Sequence, residues 1–140
     1  MFATPDDAEY AFYDAIRRSD LTRMMLVWAD DDEIVCVRPD GARSIGQDAI
    51  KTAWQQIFSN GPMAIYPARP LVLGSIASSI HILMEQVAIR TPFGTETANC
   101  YTTNIFLKGP LGWCMVLHHA SSAPNDAGLF DPQDIPDTLH

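Results

Sequence analysis

The chain predicts an α+β domain, with helices in the first part and antiparallel strands in the second. Two observations lead to that class. Up to about residue 60, apolar residues recur mainly at three- and four-residue spacing. After residue 62 the period changes, and long β-branched runs alternate with Gly/Pro turns.

The first helix starts at Thr4-Pro5-Asp6-Asp7. Thr4 can cap, proline suits the first helical position, and the two aspartates face the positive end of the helix dipole. Ala8, Phe12, Ala15 and Ile16 form its apolar stripe, which runs to about Ser19. Asp20 opens a second, short helix with Leu21, Met24, Met25 and Trp28 apolar, ended by Ala29-Asp30-Asp31-Asp32. Residues 33–38 are β-rich and stop at the turn Pro39-Asp40-Gly41. Gly46-Gln47-Asp48 starts a third helix with Ile50, Ala53, Trp54, Ile57 and Phe58 on one stripe, closed by Asn60-Gly61-Pro62.

Four strands follow. Residues 63–73 carry Pro67 and Pro70, which mark an edge strand or a bulge. Residues 75–90 and 96–108 are long and β-rich, separated by Thr91-Pro92-Phe93-Gly94. Gly109-Pro110-Leu111-Gly112 reads as a hairpin loop leading into a last strand, 113–120. The domain is expected over 1–122, with 123–140 an irregular acidic tail carrying Pro124, Pro132 and Pro136.

The 140 residues are 47% apolar and 19% charged, the composition of one folded domain. Nine Lys+Arg against 17 Asp+Glu give a net charge of −8, which repels a phosphate backbone, so nucleic acid is not an expected partner. No apolar run is long enough to span a membrane, and residues 1–7 lack the basic and apolar regions of a signal peptide, so a cytoplasmic protein is expected. Cys36, Cys100 and Cys114 are too widely spaced for a metal or redox motif. His118 and His119 are adjacent, so on a strand they point to opposite faces and cannot chelate one ion together. With no glycine-rich phosphate loop either, neither a metal nor a cofactor is expected.

Ser19-Asp20-Leu21, Trp28-Ala29-Asp30-Asp31, Ile34-Val35, Pro39-Asp40-Gly41, Gly46, Ile50 and Trp54 resemble the first half of the ketosteroid-isomerase-like, nuclear-transport-factor-two-like superfamily. The run from Gly112 to Ser121, with its His118-His119 pair, is similar to the last strand of the SnoaL-like subgroup and of kinase association domains. The resemblance covers residues 4–122. It implies a cone: a curved, mixed, largely antiparallel sheet wrapped around three N-terminal helices, with an internal cavity. It also implies homodimerisation through the outer face of the sheet. Fold alone leaves the chemistry open, because the superfamily hosts isomerases, dehydratases, hydrolases and assembly domains.

The isomerase's own residues are not present. Its base position aligns with Arg38, its tyrosine with Phe12 and its late aspartate with Thr103. A guanidinium does not abstract a proton near neutrality. Tyr13 stands one residue from the aligned tyrosine, about 100° around the helix, and is expected to face elsewhere.

The candidate catalytic group is one of His118 and His119, since imidazole titrates near neutral pH. The SnoaL-like pattern favours His119, while strand parity taken through the isomerase favours His118. Candidate ligand-binding residues are Arg38, Trp28, Trp54, Tyr101, Thr103 and Asn104. Arg38 offers a fork of donors to a carboxylate or another anion. Trp28 and Trp54 are core residues, cavity walls, or both. Tyr101 and Thr103 share one strand face and Asn104 the other. Glu85, within an apolar stretch, is either a rim charge or a buried carboxylate. The functional expectation is a pocket for a small, mainly apolar ligand, with isomerase, dehydratase or hydrolase chemistry. The alternative is a non-catalytic assembly or ligand-sensing homodimer.

Overall fold

Residues 2–124 are described here from a computed structural model of the chain. The elements are α1 (Pro5–Arg18), α2 (Leu21–Val27), β1 (Val35–Val37), β2 (Arg43–Ile45), α3 (Gln47–Phe58), β3 (Ala64–Gly74), β4 (Ser78–Thr91), β5 (Gly94–Gly109) and β6 (Gly112–Ala123). The expected order holds, with one addition. The three-residue β2, folded back on β1 after the Pro39-Asp40-Gly41 turn, has too few residues to show a period and was not expected from the sequence. From residue 125 on, the expected tail lies outside the described residues.

Local chemistry sets the helix ends. The Asp7 backbone N–H donates to the Thr4 hydroxyl at 3.0 Å, and that of Arg23 to Asp20 Oδ1 at 3.0 Å. Between them Ser19 turns the chain in a left-handed conformation, φ 52°.

The six strands form one mixed sheet in the order β2-β1-β6-β5-β4-β3. β1 and β6 run parallel and every other neighbouring pair is antiparallel. The edge strand β3 carries Pro67 and Pro70, and its pairing with β4 shifts register between Ala68 and Leu71, where Arg69 has φ 54°. Two-residue loops join β4 to β5 and β5 to β6.

α1 crosses the inner face of the sheet and is buried without interruption from Ala11 to Ile16. Phe12 sits at its centre, edge-on to Tyr13, Trp28 and Trp54 at centroid distances of 5.0, 6.5 and 5.5 Å. Ile34, Ile50, Phe106 and Met115 complete this core. Among the described residues, no helix is long and apolar enough to cross a membrane.

Candidate active site

Strand register brings the site together. Side chains alternate along a strand, so Ser79, His81, Leu83 and Glu85 of β4 share one face. Their partners on β5 are Phe106, Asn104, Thr102 and Cys100. Asn104 in turn lies opposite His118 on β6, and His118 opposite Cys36 on β1. All these residues are buried. Glu9 and Tyr13, one turn apart on α1, both reach the same cluster.

Asn104, with no exposed surface, is the hub. Its side-chain N–H group donates to Glu9 Oε2 and to the Tyr13 hydroxyl, each at 3.0 Å. Its Oδ1 therefore faces His118 Nδ1, at 2.7 Å, which must carry the proton. That leaves His118 Nε2 as a bare acceptor, 3.9 Å from Glu85 Oε2. The Tyr13 hydroxyl donates to the same Glu85 oxygen at 2.7 Å. On the other side of Glu9, His81 Nδ1 lies 3.0 Å from the carboxylate and His81 Nε2 lies 2.8 Å from the Ser79 hydroxyl. Ser79, His81 and Glu9 have the connectivity of a nucleophilic triad. None of the three lines the cavity described below, and they tie α1 to the sheet.

Burial sets the protonation states. It raises the Glu85 carboxyl to about 7, against a lowering from the Tyr13 hydrogen bond. It lowers His118 to about 3, aided by the neighbouring His119. It also holds the Tyr13 hydroxyl protonated, with Glu85 acting in the same direction. The Cys36 thiol is pushed up to about 12 and is not a nucleophile at neutral pH. Near pH 7 the site thus holds a carboxyl poised between its two forms beside a neutral imidazole.

A cavity of about 320 Å³ opens onto this pair. Glu85 and His118 line its buried side, Trp54, Ile57, Met63 and Ile65 its walls, and half-buried Arg38 its outer part.

Of the sequence candidates, His118, Trp54 and Arg38 line the cavity, and Asn104 holds His118 from behind. Trp28 is buried against Phe12 in the core and is not among the lining residues. His119, Tyr101 and Thr103 sit on the opposite face of the sheet, where Thr103 pairs with His119 and Tyr101 is 51% exposed. Their odd parity relative to Asn104 and His118 sends them outward. Tyr13 does not face elsewhere, as expected from helical rotation. α1 is covered on more than one side, so neighbouring positions 12 and 13 are both buried. Of the two readings of Glu85, the rim charge is excluded: the residue is 3% exposed. Glu9 and His81 gave no sequence signal, because their partners lie far away along the chain.

The SnoaL-like domain model matches residues 7–126 of the sequence. The chain belongs to the SnoaL-like domain family. Its fold is that of the nuclear-transport-factor-two-like superfamily, also described as cystatin-like. The SnoaL-like chain is similar to a candidate calcium/calmodulin-dependent protein kinase type II association domain from Thiobacillus denitrificans. Identity is 32%, coverage 89% of this chain and 98% of that one, and the TM-score 0.80. A candidate dehydratase from Streptomyces avermitilis shares the fold at 21% identity, covering 85% and 94% of the two chains, with a TM-score of 0.75. So does a cystatin-like protein from Caulobacter vibrioides, at 16% identity, 91% and 93% coverage and a TM-score of 0.75. A comparison with curated protein sequences gives no match.

Proposed function

We propose that this SnoaL-like domain binds a small, mainly apolar molecule and moves a proton on it, with Glu85 as the acid–base group. The observation that carries the reading is the Glu85 carboxyl itself. It is buried, lines an otherwise largely apolar cavity, accepts the Tyr13 hydroxyl at 2.7 Å, and titrates near neutrality. A carboxyl so placed takes a proton from carbon above its pKa and returns one below it. Tyr13 stabilises the charged form of Glu85. His118 Nε2 offers a fixed acceptor to a substrate hydroxyl, and Asn104 holds both groups in register. Isomerisation and dehydration both need such a proton shuttle. Trp54 forms a wall and Arg38 the outer rim of this site. His119, Tyr101, Thr103 and Trp28 take no part in it.

The test is deuterium exchange, followed by NMR in D2O, on a panel of small cyclic and aryl ketones. Exchange alpha to the carbonyl is expected above the buffer rate, falling by a factor of about 10²–10⁴ in Glu85→Gln. No exchange across the panel, or equal exchange in the variant, overturns the reading.

A second, compatible reading is self-association. The outer face of β3, β4 and β5 presents Leu71, Ile82, Tyr101 and Leu107, all exposed. The 32% identity to a candidate association domain supports the same reading.

A further inference from the structure

We infer that Glu9 is a positioning residue: its Oε2 locks the Asn104 amide in one orientation, which keeps the His118 proton on Nδ1 and leaves Nε2 bare, whichever form Glu85 is in. The lock is a property of the resting chain; its use in proton transfer rests on the reading above.

Tyr13 cannot do this alone, because a hydroxyl both donates and accepts. When Glu85 is ionised, the Tyr13 proton points to Glu85 Oε2 and the phenol oxygen accepts from Asn104. When Glu85 is protonated, its own proton can point to the phenol oxygen, which frees the phenol proton for Asn104. An amide turned over to receive that proton would set its nitrogen against His118 Nδ1. The imidazole would then carry its proton on Nε2, and the bare acceptor beside Glu85 would be lost.

Glu9 opposes that turn. A carboxylate only accepts. Glu9 Oε2 takes one Asn104 N–H at 3.0 Å and the Tyr13 oxygen takes the other, so a turned amide would set its carbonyl oxygen against a carboxylate oxygen. The Glu9 side chain is 12% exposed against 4% for Glu85, so water reaches the carboxylate that must stay charged. Glu9 is itself held in place. His81 Nδ1 donates to the same Oε2 at 3.0 Å, and in the neutral ring His81 Nε2 accepts the Ser79 hydroxyl at 2.8 Å. The buried row Ser79-His81-Glu9, which lines no part of the cavity, thus aims one oxygen at Asn104.

The titratable and charged groups around Glu85 and His118 are Tyr13 and Glu9 from α1, Cys36 and Arg38 on the β1 side, Cys100 from β5 and His119 from β6. Asp40 stands with Arg38 at the outer part of the cavity. Burial raises the Tyr13, Cys36 and Cys100 groups, so all three keep their protons near neutral pH. Arg38, His119 and Asp40 are common to the parent chain and the variants below, so the parent is their control.

Imidazole nitrogen-15 spectra of the full chain read the tautomer directly. Values of about pH 5.5 and about pH 8 bracket Glu85, which titrates near 7, while His118 stays neutral at both. The His118 peaks are identified by their loss in His118→Gln. In the parent chain the Nδ1–H form is expected to outweigh Nε2–H by at least about tenfold at both pH values. In Glu9→Leu that ratio is expected to hold at about pH 8, where Tyr13 still points to ionised Glu85, and to fall by about tenfold at about pH 5.5. Glu9→Met serves if the leucine variant does not fold.

A merely structural contact would loosen α1 without making the tautomer follow pH. A parent chain in which His118 carries its proton on Nε2, or changes tautomer between the two pH values, overturns the inference. So does a Glu9→Leu ratio that matches the parent at the lower pH, or one that falls equally at both. Ketone exchange separates the two proposals. If the tautomer follows Glu9 as expected while Glu85→Gln leaves exchange unchanged, the lock stands and the acid–base reading falls. If the tautomer is indifferent to Glu9 while exchange still depends on Glu85, the reverse follows.

Discussion

Glu85 and His118 face one another at 3.9 Å, and burial acts on them with opposite sign. The Glu85 carboxyl rises from 4.5 to about 7 on folding. Its stabilising contribution is whole below pH 4.5 and is lost as pH climbs through 7, a change of about 3 kcal/mol. His118 falls from 6.5 to about 3, so its contribution is whole above pH 6.5 and is lost as pH drops towards 3. Between pH 4.5 and 6.5 the two slopes oppose each other. Urea denaturation across this range is expected to show Glu85→Gln gaining on the parent chain as pH rises from 4.5 to 7. His118→Gln is expected to gain on it as pH falls below 6.5. Differences that stay flat with pH would rule out these two groups as the titrating pair. At this scale the sequence was partly legible. Alternation turned one of His118 and His119 inward, and set Asn104 on the face opposite Tyr101, without saying which of each pair met the cavity. Glu85 stayed ambiguous because Met84 beside it is also buried, so alternation did not mark an inward face. Tyr13 was misplaced because a rotation of about 100° separates two helix faces only when one of them is wet.

At the scale of elements, the α1–α2 junction makes the sharpest prediction. Ser19 holds φ 52°, a conformation that costs a non-glycine residue about 1 kcal/mol. Its buried hydroxyl also lacks a partner among the described residues. Ser19→Gly removes both costs and adds chain entropy to the unfolded state. A net gain of about 1 kcal/mol is expected in chemical denaturation. A loss there would show that the hydroxyl or the Cβ is doing something favourable. Helices and long strands were legible because their stripes, caps and turns agree: Thr4 and Asp20 cap as read, and Pro67 and Pro70 mark a bulged edge strand. β2 was not, since three residues define no period and its pairing depends on a turn and a neighbour. The ends of β4 and β6 moved by about three residues, where hairpin pairing extends or trims a strand beyond its apolar run.

At the scale of the molecule, cross-strand pairs gather apolar side chains on the outer face. Leu71 lies opposite Ile82, Ile80 opposite Ile105, and Met84 opposite Tyr101. An exposed apolar face of this kind suits burial against a second copy of the chain, against the repulsion of a net charge of −8 on each. Sedimentation at about 50 µM is expected to give a dimer, and Ile82→Arg a monomer that still folds, because the side chain is 43% exposed in the single chain. A monomeric parent chain would remove the assembly reading. The hydrogen bonds of the site have a different reach. Tyr13 to Glu85 and His81 to Glu9 each span 72 residues, Asn104 to Tyr13 spans 91, and Asn104 to Glu9 spans 95. During synthesis, α1 leaves the ribosome carrying a carboxylate and a phenol destined for burial, long before β4 and β5 exist to receive them. The helix made first is thus among the last to find its polar partners, and a nascent chain ending at β3 must keep that face of α1 in water.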